Sequence, residues 1–220
     1  RREIYNKAAL TPEKVMELKE ISENIGCIFL ISVFGTIGAK TICDLGIKNI
    51  KIPSHETTNK KLIDYCSKNF DYIYFSAGAS ESKDVIDACN ILKNGNADFN
   101  LMHCVSSYPV RDEYANLNRI DWLKTLHDNI GYSDHTQSTL IPALAIMNGA
   151  TVIEKHFTID KDLPGRDNKF ALDQNEFAAM CNNIACARQS IIDKGIEYQD
   201  IESDTVKNYR GRWEPQDYKD

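Results

Sequence analysis

Short runs of apolar residues alternate along this chain with longer segments in which apolar residues recur every three or four positions. The short runs are nearly continuous in apolar residues, which is typical of parallel strands that are covered on both faces. They are residues 27–32, 49–54, 72–76, 99–105, 129–133 and 151–157. This alternation of strand and helix predicts an α/β fold with a parallel sheet and right-handed crossovers.

Helix-start signals stand between the predicted strands. Residues 11–13 (Thr-Pro-Glu) combine a capping hydroxyl, a proline suited to the first turn and an early acid. Ser80 and Thr136 each precede an amphipathic segment and are predicted to cap a helix. Asp173 and Glu176 have the spacing of a capping box. We therefore expect a helix to begin at each of these places.

Polar residues collect where the predicted strands end. They are Ser32, Ser54, Ser76, Ser106, Ser133 and His156. Barrels and open α/β sheets both bind their ligands at this carboxyl edge of the strands. No G-x-G-x-x-G or Walker A pattern follows a strand, which argues against the nucleotide-binding versions of the fold. The expected ligand site therefore lies at this edge.

Composition narrows the class of protein. With 220 residues and 42% hydrophobic residues, the chain can bury one sizeable core. A net charge of -6 argues against nucleic acid as a partner, and no apolar run has the length of a membrane span. The seven cysteines are scattered without a Cys-x-x-Cys pair, as expected for buried thiols in a reducing compartment. These features predict a cytoplasmic protein with no membrane or nucleic-acid partner.

Two histidines and one lysine are the first candidates for chemistry. His135 and His156, 21 residues apart, each follow an apolar run, so neighbouring strand ends would place two imidazoles where a metal could join them. Lys51 and Ser54 would offer a positive charge and a hydroxyl to an anion. The alternatives are a helix-end histidine, a core histidine, a surface lysine and an ordinary serine. The local pattern leaves both interpretations open.

Several acids and one tyrosine follow the same strands. Glu56 and Glu154 stand beside strand ends, whereas Asp134 and Asp167 are expected in loops. We rank Glu56 and Asp167 first for binding sugar hydroxyls, and Asp134 for supporting a histidine from behind. Tyr108, next to a proline that restricts the loop, is expected to line the pocket. A solvated loop charge or a helix cap remains the alternative for each acid.

Six motifs occur in one order along the chain. They are residues 51–56 (KIPSHE), 75–78 (FSAG), 101–109 (LMHCVSSYP), 131–136 (GYSDHT), 154–158 (EKHFT) and 164–167 (PGRD). Together they resemble the sialic acid synthase family, which includes N-acetylneuraminate, legionaminate and pseudaminate synthases and spore-coat polysaccharide relatives. The resemblance runs over roughly residues 5 to 195.

The resemblance implies a TIM (β/α)8-type barrel and a metal-dependent transferase. Such an enzyme condenses phosphoenolpyruvate with an open-chain N-acylated aminosugar to give a nine-carbon sialic-acid-like 2-keto acid plus phosphate. The resemblance further implies that His135 and His156 hold Mn²⁺ or Mg²⁺ and act in catalysis with Glu56 and Asp167. It also implies a possible homodimer. The implied substrate-binding residues are Ser32, Lys51, Ser54, Ser76, Ser106, Tyr108 and Ser133.

The chain also departs from this family. The family's first two strands carry a phosphate-binding lysine and a proton-transfer glutamate, and both precede the point where this chain starts. We therefore expect residues 1–197 to form strands three to eight, followed by a polar tail over 198–220 and no antifreeze-like domain. Ser106 stands where neuraminate-type members often carry Asn, so the resemblance fits the legionaminate, pseudaminate and spore-coat branches at least as well as the neuraminate type.

Those missing strands keep two other functions open. One is a truncated, non-catalytic barrel that binds a sugar phosphate or a partner protein, and the other is a different metal-dependent aldolase. Six strands alone would leave two parallel edges unpaired. We therefore predict that the native polypeptide is longer or that another chain covers the gap.

Overall fold

The six predicted strands form one parallel sheet in which every strand lies beside its neighbour in the sequence. A computed structural model describes residues 9–211. The strands are β1 (Ile31–Ser32), β2 (Asn49–Ile52), β3 (Tyr72–Ser76), β4 (Asp98–Cys104), β5 (Ile130–Asp134) and β6 (Val152–Lys155). The α/β prediction is confirmed. Residues 1–8 of the predicted barrel segment and 212–220 of the predicted tail lie outside the described residues.

Helices separate the strands. They are α1 (Pro12–Asn24), α2 (Gly35–Asp44), α3 (Lys60–Asn69), α4 (Ser82–Lys93), α5 (Arg119–Lys124), α6 (Ile141–Met147), α7 (Gln174–Ser190) and α8 (Ser203–Asn208). Short 3-10 helices cover Ser54–Glu56, Asp112–Tyr114 and Asp200–Glu202. Over residues 9–211, none of the helices has both the length and the apolar character needed to cross a bilayer.

Two of the predicted helix caps are confirmed. The Thr11 hydroxyl accepts a hydrogen bond from the backbone N–H of Lys14 (3.3 Å) at the start of α1. Asp173 and Glu176 form a reciprocal capping box at the start of α7. In both cases a side chain satisfies backbone donors that have no partner inside the helix.

The two other predicted caps are wrong. Glu81 caps α4, whereas the Ser80 hydroxyl donates to the Gly78 carbonyl (2.8 Å). Helix α6 starts only at Ile141, and the Thr136 hydroxyl donates to a buried carboxylate instead. Both hydroxyls therefore form hydrogen bonds where the chain leaves a strand, to an acceptor two residues earlier in the sequence.

The two faces of the sheet have different roles. Side chains alternate along a strand, so Ile50 and Ile73, which are register partners, share one face and pack with the helices in the hydrophobic core. We call this the outer face. Lys51, Tyr74 and Asn100, which are also in register, lie on the opposite, inner face.

A single ion pair shows that the sheet is strongly curled. Lys51 of β2 and Glu154 of β6 are in contact, with 2.5 Å between Nζ and Oε2. In a flat sheet these strands would lie four spacings, or about 19 Å, apart. Two side chains cannot span that gap, so the inner face must be concave. The sheet is a half-barrel, and the eight-stranded barrel stays a prediction.

The half-barrel has two open edges within the part of the chain that the structure describes. There β1 pairs with β2 alone, and β6 pairs with β5 alone. Around β1 several large apolar side chains are exposed, including Ile28, Phe34 and Ile37. Exposed apolar surface therefore lies beside the unpaired edge at β1, as expected.

Candidate functional site

A lysine is buried on the inner face, near the carboxyl ends of the strands. The Lys51 side chain is 6% exposed, and its ammonium donates to Glu154, whose side chain is 43% exposed. A buried ammonium requires a partner of opposite charge, because water no longer solvates it. Since Glu154 is itself open to solvent, an incoming anion can reach the lysine from the mouth of the half-barrel.

Serines from three neighbouring strand ends meet beside Gly78. The Gly78 N–H donates to the Ser54 hydroxyl (3.0 Å). A Cβ on Gly78 would lie only 2.8 Å from Ser54 Oγ and 2.5 Å from Ser106 Oγ, so only glycine permits this approach. The Ser76 hydroxyl is buried and has no protein partner among the described residues. It therefore retains hydrogen-bonding capacity for a ligand.

His135 presents one bare ring nitrogen. Its Nδ1 lies 3.0 Å from the Val105 carbonyl, which can only accept, so Nδ1 carries the hydrogen and Nε2 is left as the acceptor. Burial lowers the pKa of His135, although the bond to Val105 and the Glu154 carboxylate act in the opposite direction. A neutral imidazole with a free Nε2 is the form that binds a metal ion.

His156 lies beside His135, with 5.2 Å between the ring centroids. Burial and the neighbouring His135 lower the pKa of His156, while Asp167 and Glu154 raise it. The nearest carboxylate oxygen of Asp167 is 3.7 Å from His156 Nδ1. The structure thus brings together the two imidazoles and Asp167, one of the acids that we ranked first.

Aromatic rings surround the two imidazoles. The Tyr108 ring lies 4.3 Å from His135 and 6.1 Å from His156, measured between centroids. The Phe170 ring lies 5.1 Å from His156 and 6.1 Å from Tyr108. Burial is the main cause that raises the pKa of Tyr108, so its phenol stays neutral. Tyr108 therefore stands at the mouth of the site, where it was expected to line a pocket.

The other predicted residues lie at the same edge. Ser133 is buried on β5 in register with Glu154, and Ser32 is exposed on β1 in register with Lys51. Glu56 is half-buried in the first 3-10 helix and accepts a hydrogen bond from Asn59 (2.6 Å). Their roles in binding and catalysis stay predictions.

One acid differs from its expected place, and another has a partner that was not foreseen. Asp134 was expected in a loop, which is wrong: it is the last residue of β5 and is fully buried on the outer face. Glu154 lies beside a strand end, as expected, and is the partner of Lys51. The alternation of faces along β6 could have placed Glu154 on the inner face, although it does not indicate Lys51 as its partner.

The donor set suits a metal ion only in part. The neutral His135 with its bare Nε2 and the adjacent His156 can offer two nitrogen ligands. Within residues 9–211, no group of three or more His, Cys, Asp and Glu side chains could hold a metal by itself. The site thus fits an ion such as Mn²⁺ or Mg²⁺ that keeps water or substrate oxygens in its other positions.

Fold and site together define the class. A curled parallel sheet with helices between its strands carries a buried cation, hydroxyls and two imidazoles at its carboxyl edge. This is the position of the ligand site in (β/α) barrels and related α/β proteins. The class is an α/β half-barrel with a site suited to an anionic, oxygen-rich ligand.

Comparisons with known proteins identify the family within this class. The sequence model of the NeuB family matches residues 1–195. The chain belongs to the NeuB family, and the resemblance drawn from the six motifs is confirmed.

Two similar proteins are named as synthases of legionaminic-type and pseudaminic acids. The chain is 34% identical over 191 residues to the N,N'-diacetyllegionaminic acid synthase of Legionella pneumophila, with 83% of the chain and 53% of that protein covered. It is 32% identical over 210 residues to the pseudaminic acid synthase of Helicobacter pylori, covering 94% of the chain and 61% of the enzyme. The chain therefore spans little more than half the length of these relatives.

A solved structure has the same fold. The N-acetylneuraminic acid synthetase of Leptospira borgpetersenii, crystallised with citrate, matches with a TM-score of 0.85 at 30% identity. The match covers 94% of this chain and 72% of that one. Similar sequence and similar backbone thus agree over nearly the whole chain.

Proposed function

We propose that this protein is a transferase that condenses phosphoenolpyruvate with the open-chain aldehyde of an N-acylated aminosugar. A carbon–carbon bond forms between C3 of phosphoenolpyruvate and the aldehyde carbon. The C–O bond from C2 to the phosphate breaks, and water supplies the oxygen of the new 2-keto group. The observation that carries the proposal is the buried Lys51 beside two imidazoles at one mouth, in a member of the NeuB family.

Lys51 and the serines form the proposed phosphoenolpyruvate site. A buried ammonium interacts strongly with a phosphate or carboxylate, because little water screens it. The Ser76 hydroxyl has no partner among the described residues, and Ser54 and Ser106 meet beside Gly78. This set offers a fixed positive charge and several hydrogen-bond donors to phosphoenolpyruvate. Ser133 and Ser32 extend the same edge.

The sugar is proposed to lie across the histidine pair. Mn²⁺ or Mg²⁺ held by His135 and His156 would supply Lewis-acid polarisation of the aldehyde oxygen. Tyr108 and Phe170, whose rings lie beside the imidazoles, would line this side of the sugar site. Asp167, whose side chain is 61% exposed, and the half-buried Glu56 would accept hydrogen bonds from sugar hydroxyls. Glu154 keeps Lys51 oriented until phosphoenolpyruvate binds.

The legionaminate and pseudaminate branches are the favoured substrate classes. Two of the relatives described above are named for these two acids, and they are 34% and 32% identical to this chain. Ser106 is a shorter donor than the Asn of many neuraminate-type members, which agrees with this preference. The substrate is therefore an N-acylated aminosugar of the type that precedes these acids.

Phosphate release from phosphoenolpyruvate tests the proposal. The assay contains Mn²⁺ and a panel of N-acylated aminosugars, with chelator-treated protein as the control. We expect release that requires both sugar and metal, with a nine-carbon 2-keto acid as the other product. Release without sugar, turnover of pyruvate in place of phosphoenolpyruvate, or no release with any sugar would contradict it.

A further inference from the structure

A second lysine–carboxylate pair lies on the outer face, directly behind the histidines. Lys155 Nζ is 2.5 Å from Asp134 Oδ2, and the two side chains are 2% and 0% exposed. Asp134 and Lys155 are register partners and the last residues of β5 and β6. The residue that follows each of them in the sequence is a histidine of the candidate site, His135 or His156. The pair therefore joins two strands at the point where both enter the site.

Hydrogen bonds complete the surroundings of the Asp134 carboxylate. Its Oδ1 accepts from the Tyr132 hydroxyl (2.9 Å) and from the Thr136 N–H (2.9 Å). Its Oδ2 accepts from the Thr136 hydroxyl (3.0 Å) as well as from Lys155. A carboxylate with this many donors has one orientation, so the backbone around it is held in one conformation.

The lysine fixes the loop that follows His135. Lys155 Nζ donates to the carbonyl oxygens of Thr136 (2.5 Å) and Ser138 (3.2 Å) as well as to Asp134. One side chain of β6 thus binds the last residue of β5 and the loop beyond it. Because His135 lies between these contacts, its backbone position is fixed relative to β6.

His156 depends on this alignment more than His135 does. The ring of His135 has its own anchor, the hydrogen bond from Nδ1 to Val105. Among the described residues, the ring of His156 has only the distant Asp167 oxygen at 3.7 Å and ring contacts such as that with Phe170. The separation of the two rings therefore rests mainly on how the ends of β5 and β6 are held together.

We propose that Asp134 and Lys155 are a positioning pair, which sets the separation of His135 and His156 and thereby the affinity of the site for a divalent ion. A buried ion pair is not needed for stability, since apolar residues of similar size often replace one without loss. What apolar residues cannot reproduce is the set of directed bonds from Lys155 to β5 and its loop. The metal-binding part of this inference rests on the proposed function.

The main test separates stability from metal binding. The protein with both Asp134→Leu and Lys155→Met keeps a packed outer face without charge, whereas Lys155→Met alone leaves a buried carboxylate unpaired. We expect the double variant to regain part of the unfolding midpoint that Lys155→Met loses, because it removes the unpaired charge but leaves the Tyr132 and Thr136 donors without an acceptor. We also expect it to bind Mn²⁺ about tenfold or more weakly than the wild type in an EPR titration, the loss typical of positioning groups behind metal ligands. Wild-type affinity in a stable double variant would overturn the proposal.

A milder variant covers the case in which the double variant does not fold. Asp134→Asn keeps the size of the side chain and an acceptor for Thr136, but weakens its bond to Lys155. Its control is Asp87→Asn, the same chemical change at a carboxylate bound by Lys60 (2.9 Å) and Lys83 (2.8 Å) on the surface. We expect weaker Mn²⁺ binding for Asp134→Asn only. Equal affinities for the two variants would contradict the proposal.

A crystal structure of each variant separates this inference from the proposed function. If the wild type does not bind Mn²⁺, the metal part of the proposed function fails. The distance between the His135 and His156 rings then decides the positioning role alone. We expect that distance to increase from 5.2 Å in Asp134→Asn and to stay unchanged in Asp87→Asn. An unchanged distance in Asp134→Asn would overturn the positioning role.

Discussion

The sheet carries two lysine–carboxylate pairs at the same edge, one on each face. Both have an N–O distance of 2.5 Å, yet Lys51–Glu154 opens to solvent through a carboxylate that is 43% exposed, whereas Lys155–Asp134 is closed, at 2% and 0%. The outer pair is also surrounded by further hydrogen bonds, whereas the inner pair shares its face with the Ser76 hydroxyl, which has no partner among the described residues. The same kind of ion pair is therefore closed to solvent on one face and reachable from solvent on the other.

The two pairs differ in burial and in the number of further hydrogen bonds, whereas their N–O distances are the same. Removing one partner of the closed pair leaves an unpaired buried charge, which costs stability. In the proposed function the open pair exchanges Glu154 for a substrate anion, so removing Lys51 should weaken binding. Single changes on the outer face should thus act first on unfolding and, through the positions of the histidines, on the metal site, whereas changes on the inner face should act on activity with little effect on unfolding.

The largest effect is expected from Lys155→Met on the outer face. It leaves the fully buried Asp134 without its counter-charge, and the free energy of unfolding should fall by about 3–5 kcal/mol. Chemical denaturation at pH 7 measures this change. Lys68→Met, at an exposed pair with Asp64 on α3, is the control and should have little effect. A loss below about 1 kcal/mol for Lys155→Met would show that the outer pair is not closed.

The next effect is expected from Lys51→Met on the inner face. It removes the buried charge that we assign to phosphoenolpyruvate, so kcat/KM should fall by about 10²–10³-fold. Stability should change little, because Glu154 remains partly solvated. Phosphate release measures the first quantity and denaturation the second. Lys48→Met, at an exposed lysine three residues earlier, should keep full activity. Equal activity for the two variants would remove Lys51 from the site.

The strands could be predicted from the sequence because parallel strands that are covered on both faces are apolar throughout. The first strand was overestimated: residues 27–32 have the pattern, but only Ile31–Ser32 pair. Pairing requires a neighbour, and β1 has one on a single side within the described residues. The predicted helix cap at Thr136 was also wrong because of a neighbour, since the Thr136 hydroxyl donates to the Asp134 carboxylate. A local sequence pattern does not show which strand or side chain a residue will pair with.

The residues of the site could be predicted only where they follow a strand or belong to one of the six motifs. His135, His156 and the serines follow apolar runs, and parallel strands bring such positions to one edge. The contact between Lys51 and Glu154 joins residues 103 positions apart and depends on the curl of the sheet. Curl arises from the twist and stagger of all the strands, so no local pattern near Glu154 indicates its partner.

A buried histidine on the outer face should make stability fall in mild acid. His103 is fully buried, and burial lowers its pKa from 6.5 to about 4. Its Nε2 donates to the Ala115 carbonyl (2.7 Å), while Nδ1 is buried without a partner among the described residues, so a second proton would have no acceptor. The unfolded chain binds that proton below about pH 6.5 and the folded chain only near pH 4. Stability is therefore lost as the pH falls through this window.

The measurement compares urea unfolding at pH 7 and pH 5 for the wild type and His103→Gln. Glutamine keeps a donor for Ala115 but does not titrate. We expect the wild type to lose about 2 kcal/mol more than the variant between these pH values. The same loss in both proteins would mean that acid acts elsewhere, for example on the inner face.

The smallest effect compares one tyrosine from each face. The Tyr132 hydroxyl is buried and donates to Asp134 (2.9 Å), whereas Tyr108 is 44% exposed beside the histidines. Tyr132→Phe should lower the free energy of unfolding by roughly 1.5 kcal/mol, because a buried carboxylate loses one of several donors. Tyr108→Phe should leave stability unchanged and change only the KM for the sugar. If Tyr108→Phe destabilised the protein as much as Tyr132→Phe, the inner face would be as closed as the outer one, and the contrast between the two lysine pairs would not hold.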